Sequence, residues 1–256
     1  MINYAIVGGG RLARHFSKYF RLLEISHNCW TRDRWSQFNT FDLPGAEQRL
    51  KETVSDTDCV LLLVSDNAIT TVLKQYPFLR EKNLVHCSGS LVVPGVAGVH
   101  PLMTFTDRIY DLDTYKKIPF ILEPGSEFAR LFPGLPNPSF VINVEDRARY
   151  HAMCVMAGNF SQLLWKGVSD RFEQQFDLPA AAMWPYLNQV TENFIRSPGS
   201  ALTGPLTRND RQTIDLNLNS LNGDPLQDLY TAFVDFHQHE SKQNAIPEQV
   251  KLEQLI

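Results

Sequence analysis

The feature that most constrains this chain lies at its start. Residues 2–7 form a short apolar run that enters Gly8-Gly9-Gly10-Arg11-Leu12-Ala13 without a break. β-Branched and aromatic residues bounded by glycine predict a strand. Beyond the glycines, Leu12, Phe16, Tyr19, Phe20 and Leu23 recur at helical spacing and predict a helix over 11–23. A strand that turns into a helix through glycines presents unpartnered N–H groups at the helix start, and a backbone with no Cβ in the way. That combination suits an anion pressed close to the chain, above all a dinucleotide pyrophosphate. Gly8 and Gly10 match the first two glycines of the dinucleotide fingerprint, and Ala13 fills the third position, where helix packs on strand. Gly8, Gly9, Gly10, Arg11, Leu12 and Ala13 are therefore the expected cofactor contacts. The competing reading is a glycine turn in a different α/β fold.

The first half of the chain continues in the same style. Strand-like runs at 25–30, 58–64, 84–87, 95–99, 118–122 and 140–144 are interspersed with helical patterns at 68–76 and 126–132. Such alternation predicts an α/β fold with a parallel sheet. Asp66 or Asn67 is the expected cap of the helix at 68–76. Pro133, Pro136 and Pro138 then punctuate the chain, and afterwards only helical patterns remain, at 146–176, 180–196, 211–221 and 225–238. The expected architecture is a Rossmann-type domain over 1–145 followed by a smaller all-α domain over 146–256.

Composition narrows the function classes. A net charge of -4 offers no broad basic field, which argues against a nucleic-acid partner. No run reaches the ~20 apolar residues that span a membrane. The start of the chain lacks the basic and apolar regions of a signal peptide, so a cytoplasmic location is expected. Cys29, Cys59, Cys87 and Cys154 lack metal-ligand spacing and read as reduced, buried cysteines; no metal is expected.

In the dinucleotide fold an acidic residue about 20 positions beyond the glycines recognises the adenosine ribose of NAD. Here that region reads Trp30-Thr31-Arg32-Asp33, with Arg32 lying 22 residues after Gly10. A guanidinium there pairs with a 2′-phosphate and Thr31 adds a hydroxyl, so NADP is the expected cofactor. Asp33 keeps NAD as the alternative.

Ligands of open α/β sheets sit beyond the carboxyl ends of the strands. Val64, Ser65 and Asp66 follow a buried strand and are expected to meet the cofactor's ribose or phosphate face, unless Asp66 simply caps the next helix. Ser88, Gly89 and Ser90 end the following strand. Gly89 allows close approach, Ser88 and Gly89 are expected on the nicotinamide end, and Ser90 on the substrate; an ordinary turn is the alternative. His100, before Pro101, ends a further strand. An imidazole suits proton transfer during hydride transfer, or else it only stiffens a turn.

These stretches, with His100-Pro101-Leu102-Met103-Thr104-Phe105, Tyr150-His151-Ala152, Asn159-Phe160 and Leu202-Thr203-Gly204-Pro205-Leu206-Thr207-Arg208-Asn209-Asp210, follow one another in an order that resembles a known family. Its members pair a Rossmann-like NADP-binding domain with a C-terminal helical domain of unknown function. They are grouped with the 6-phosphogluconate dehydrogenase-like oxidoreductases, and pyrroline-5-carboxylate reductase, prephenate dehydrogenase and deazaflavin-dependent NADP reductases are more distant relatives. The resemblance departs at Asn209, where the family pattern has glycine; asparagine tolerates left-handed backbone.

The resemblance implies a helical domain of the 6-phosphogluconate dehydrogenase C-terminal type, a homodimer, and acid–base work by polar residues early in that domain. His151 and Asn159, eight residues apart and sharing a helix face with Val155, are the candidates, against a merely structural histidine. Thr203 and Arg208 are candidate substrate contacts, or pins of a loop or dimer contact. The expected function is an NAD(P)-dependent oxidoreductase moving a hydride to or from a small polar substrate in a cleft between the domains. A non-catalytic NADP-binding regulator is the alternative, and a methyl donor in place of the dinucleotide is a third reading that Arg32 opposes.

Overall fold

The computed structural model of the protein describes residues 2–31 and 45–244. The chain divides into two compact units, Met1–Lys166 and Gly167–Ile256. The first unit holds a seven-stranded sheet. Its strands are β1 (Tyr4–Val7), β2 (His27–Trp30), β3 (Cys59–Leu62), β4 (Asn83–His86), β5 (Ala97–Pro101), β6 (Phe120–Leu122) and β7 (Ser139–Val141). They lie in the order β2-β1-β3-β4-β5-β6-β7.

Alternation along β1 shows how the sequence builds this sheet. Tyr4 and Ile6 face one side, where α1 (Arg11–Leu22) supplies Phe16, Tyr19 and Phe20. Ala5 and Val7 face the other, with Leu50 and Val54 of α2 (Ala46–Val54) and Ile69 and Leu73 of α3 (Asp66–Gln75). Both faces are covered, so the central strands read as continuous apolar runs, and all four residues of β3 are buried. Each fully buried Ile or Leu here contributes roughly 1.5–3 kcal/mol.

β1 to β5 pair in parallel, as do β6 and β7, but β5 and β6 are antiparallel. The expectation of a parallel sheet therefore holds for most strands and fails at this one pairing. The connection between them, residues 102–119, contains the short helix α4 (Leu112–Lys116). A short α5 (Phe128–Leu131) separates β6 from β7.

A buried polar network ties α1 to this edge. The Tyr19 hydroxyl donates to Asn137 Oδ1 at 2.6 Å, and Asn137 Nδ2 donates to the carbonyls of Tyr115 and Ile118 at 2.7 and 3.0 Å. His15 Nε2 lies 2.9 Å from the Thr106 carbonyl, which can only accept, so that nitrogen carries the proton. In the neutral ring Nδ1 then accepts from the Tyr115 hydroxyl at 2.8 Å.

From Arg147 the chain is helical. α6 (Arg147–Cys154) passes through a π-helical stretch, Val155–Phe160, into α7 (Ser161–Phe176). α8 (Trp184–Arg196), α9 (Arg211–Ser220) and α10 (Leu226–Asn244) follow. Within the second unit Arg171 grips the Asp224 carboxylate with two contacts of 2.6 Å, while Asp224 also accepts from the Leu226 N–H that opens α10. Asp210 caps α9 through the Thr213 N–H. Asn209, just before it, has a φ of +53°, so asparagine does occupy left-handed backbone here. Among the described residues of this unit, Met183, Ile214 and Val234 are the buried hydrophobics, whereas Phe176, Trp184, Tyr186, Phe194, Ile195, Phe233 and Phe236 are each more than half exposed.

Candidate functional site

The three loop glycines are required for three different reasons. Gly8 has a φ of +142°, and a Cβ on it would sit 2.1 Å from the Leu63 carbonyl oxygen. Its N–H donates to the Trp30 carbonyl at 2.9 Å, which locks the end of β1 between β2 and the residue after β3. A Cβ on Gly9 would press on the Thr31 methyl at 2.8 Å. Gly10 is the N-cap of α1, with no side-chain cap and nothing within 4 Å of a notional Cβ. The first N–H groups of a twelve-residue helix are therefore open beside a bare glycine.

The loop borders a cleft of about 1160 Å³. Its described walls include Gly8 to Ala13, Thr31, Val64, Ser65 and Tyr76, together with Arg14, Lys18 and Arg21 of α1. Ala13 is buried where α1 meets the sheet. Arg11 and Arg14 are both ion-paired with Asp107. Arg14, Lys18 and Arg21 escape a motif reading; the signal is their recurrence every three or four positions along α1, which also describes any charged helix face. Thr31 is half-buried, and Arg32 and Asp33 lie outside the described residues. The open helix start, the room at Gly10 and the basic wall fit a dinucleotide pyrophosphate, with the loop backbone as its holder.

Ser65, not Asp66 or Asn67, takes the N-cap position of α3, and its side chain makes no capping bond. The expected cap is thus corrected: the helix begins two residues earlier than periodicity suggests, because Ala68, Ile69 and Val72 are only its first apolar face. Asp66 instead accepts from the Ser88 hydroxyl at 2.7 Å. Ser88 Oγ in turn accepts from the Ser90 and Leu91 N–H groups, so this one side chain organises the turn after β4. Ser90 is half-buried beside it.

Around that turn the fold gathers four titratable rings. A Cβ on Gly89 would lie 2.3 Å from His151 Cδ2 and 3.2 Å from His100 Cδ2, so both imidazoles pack directly on its backbone. His100 Nδ1 is 2.8 Å from the Tyr150 hydroxyl, and its ring stands perpendicular to that of His151 at 5.8 Å. Burial, with His151 and Arg147 adding to it, pushes His100 down to about 4. His86, wholly buried, is likewise pushed to about 4, by burial first and then Arg147. Burial raises the Tyr150 hydroxyl.

Arg147 holds this region together. It is 1% exposed, donates to the Ser88 carbonyl at 2.5 Å and the Gly98 carbonyl at 3.5 Å, and faces Glu123 at 3.4 Å. A Cβ on Gly98 would collide with Glu123 Oε1 at 2.3 Å, so glycine there makes room for the ion pair. The sequence names Tyr150 only as part of Tyr150-His151-Ala152, with no role, and does not single out Arg147. The available signal is their spacing from His151, which puts Arg147, Tyr150 and His151 on one face of α6.

The structure thus brings Ser88, Gly89, His100 and His151 together. Asn159 is exposed within the π-helical stretch, and such stretches are frequent at functional sites. Thr203 and Arg208 are exposed in the second unit, between α8 and α9. The expectation of four buried cysteines is also corrected. Cys59 and Cys87 are buried, but Cys154 is half-buried and Cys29 is exposed, because β2 lies at the sheet's edge. His27, two residues away, holds the Cys29 thiol below its ordinary range. Among the described residues no His, Cys, Asp and Glu cluster could hold a metal ion, and no helix is long and apolar enough to cross a membrane.

Comparison with solved structures places the whole chain. Protein TM1727 from Thermotoga maritima superposes with a TM-score of 0.68 at 25% identity, over 94% of this chain and 99% of that one. Protein BF3122 from Bacteroides fragilis, described as a candidate NADP oxidoreductase, gives 0.71 at 20% identity over 93% and 98%. The pyrroline carboxylate reductase of Plasmodium falciparum, solved with NADP bound, gives 0.56 at 13% identity over 95% and 99%. No curated protein matches the sequence. Residues 126–235 match the family described as a domain of unknown function, DUF2520. The chain therefore has a Rossmann-like α/β fold, and its residues 126–235 are similar to the DUF2520 family.

Proposed function

We propose that this protein is an NAD(P)-dependent oxidoreductase, with NADP the favoured cofactor, acting on a small polar substrate. The observation that carries the reading is the glycine loop: Gly10 leaves open space at an uncapped helix N-terminus that faces a cleft with a basic wall. Relatives of similar fold support it, one of them solved with NADP. The backbone from Gly8 to Ala13 would hold the pyrophosphate, Thr31 and Arg32 the adenosine end, Val64, Ser65 and Asp66 the ribose, and Ser88 and Gly89 the nicotinamide end. When bound, the cofactor supplies the hydride.

The chain's own residues would do the rest. Asp66 and the adjacent N–H groups fix the Ser88 hydroxyl, so the turn is set before a ligand arrives. His100 and His151 would supply the polarising and acid–base groups, with Ser90, Asn159, Thr203 and Arg208 as substrate contacts. In this scheme residues 1–145 bind cofactor and 146–256 serve substrate and assembly.

The assembly we infer is a homodimer. Among the described residues of the second unit six aromatic side chains are more than half exposed. At roughly 150–250 Å² per aromatic side chain they offer on the order of 500–800 Å² of apolar surface, close to one partner's share of a standard interface, about 800 Å². Light scattering at micromolar concentration should read two chains; a persistent monomer would refute it.

Titration with NADPH and NADH, followed by nucleotide fluorescence with Arg32→Ala in parallel, tests the cofactor. NADPH preference that collapses in the variant is expected. Binding of neither nucleotide would leave the oxidoreductase reading without foundation.

A further inference from the structure

His100 closes β5 and is faced by charged or titratable groups from three directions. From α6 come Tyr150 and His151, which flank its ring, and Arg147 behind them, with Cys154 beside the Tyr150 hydroxyl. From the start of α3 comes Asp66, bound to Ser88, and from the end of β6 comes Glu123, bound to Arg147. Arg147 is anchored on the Ser88 and Gly98 carbonyls inside the protein, and both imidazoles pack directly on the Gly89 backbone.

We propose, resting on the oxidoreductase reading above, that Arg147 and Tyr150 are positioning residues that hold His100 as a neutral imidazole with its proton on Nε2. In that form His100 is a hydrogen-bond donor that polarises a carbonyl or imine rather than a cationic acid. The tautomer follows from relative acidity. A phenol O–H is a stronger donor than a neutral imidazole N–H, so across the 2.8 Å contact Tyr150 donates and His100 Nδ1 accepts. The ring proton is then on Nε2, the nitrogen bonded to the Cδ2 that lies against Gly89.

The charge state follows from burial and from the fixed guanidinium. Both disfavour the imidazolium, as does His151, while the Asp66 carboxylate favours it. A neutral imidazole polarising a carbonyl is a known solution when the site must not carry a cation. It leaves the acid–base task to His151, on the same face of α6.

Long-range ¹H–¹⁵N NMR of the imidazoles in the full-length chain tests this without a substrate. Wild type is expected to show His100 as the Nε2–H tautomer, uncharged at pH 6 and above. Tyr150→Phe should lose the tautomer preference while the ring stays neutral. Arg147→Met should raise the His100 midpoint by about one pH unit, and Arg147→Lys should restore it toward wild type. A merely structural Arg147 would leave that midpoint unmoved in any variant that folds. If Arg147→Met does not fold, Arg147→Gln removes the charge while keeping a donor for the Ser88 carbonyl, and an unmoved His100 midpoint in that variant would overturn the role given to Arg147.

An Nδ1–H tautomer, or a cationic His100 at pH 6 in wild type, would overturn the proposal. NADPH titration of the same samples keeps the two readings apart. Normal nucleotide binding with a cationic His100 defeats only the positioning proposal. A neutral Nε2–H ring in a protein that binds no nucleotide defeats the oxidoreductase reading and leaves the positioning geometry standing.

Discussion

Gly10→Ala separates what the glycine loop does for the fold from what it does for a ligand. Gly10 has φ -74° and ψ -176°, which alanine adopts freely, and its Cβ would meet nothing within 4 Å. Restricting the unfolded chain favours the variant by about 0.4–1 kcal/mol. Alanine is a poorer N-cap than glycine, by an amount of similar size. Net stability should therefore move by less than about 1 kcal/mol, or no more than about 4 °C in Tm for a chain of this size. Binding is another matter. A methyl group placed where a pyrophosphate passes costs about 1–3 kcal/mol, as overpacking does, which weakens NADPH roughly 5- to 150-fold.

Gly8→Ala gives the opposite signature. Its Cβ would meet backbone, 2.1 Å from the Leu63 oxygen, at a φ that alanine rarely adopts. Strain of about 1–3 kcal/mol adds to the cost of parting β1 from β3, a large share of a typical total of about 5–15 kcal/mol. Thermal unfolding and NADPH fluorescence on both variants are sufficient. If Gly10→Ala binds NADPH within twofold of wild type, the pyrophosphate does not cross Gly10 and the assignment of the loop is wrong.

Three other perturbations test the frame. Asn137→Ala strands the Tyr19 hydroxyl and the carbonyls of Tyr115 and Ile118, all linked to a buried amide, and should cost at least ~3 kcal/mol in urea unfolding; near-wild-type stability would show that the network is dispensable. Arg171 first, and the Leu226 N–H next, hold the Asp224 carboxyl below the ordinary carboxylate range. Because its folded value is depressed, the stabilisation is full above about pH 4 and is lost as pH falls through that lower value. Asp224→Asn should flatten the acid limb of Tm against pH, and an unchanged limb would refute the linkage. Asn209, at φ +53°, should accept glycine with no loss of Tm, while Asn209→Ala should cost about 1 kcal/mol; equal effects would mean that the backbone relaxes there.

What the sequence determined by itself is local. β1, the glycine loop and α1 were legible because a short apolar run, a turn without Cβ atoms and a 3.6-residue stripe each carry their meaning within a few residues. The run at Cys59–Leu62 was legible because a strand covered on both faces must be apolar throughout. α2 was not: its buried stripe is Ala46, Leu50 and Val54, set among charged residues and too sparse for periodicity to register. The antiparallel β5–β6 pair also escaped, because strand direction depends on how a connection crosses the sheet, which no window of residues encodes.

The candidate site divides along the same line. Ser88, Gly89, His100 and His151 could be named from motifs, but their convergence on one turn could not. Arg147 carries no motif, and Tyr150 stood in one only as the neighbour of His151. An arginine at a helix start is ordinarily solvated, and this one is buried because Gly98 leaves space and Glu123 supplies charge. Cys29 is exposed for the converse reason, since β2 happens to be an edge. Local geometry follows from the chemistry of neighbours in sequence. Burial, charge state and tautomer follow from neighbours in space, and only the tertiary structure chooses those.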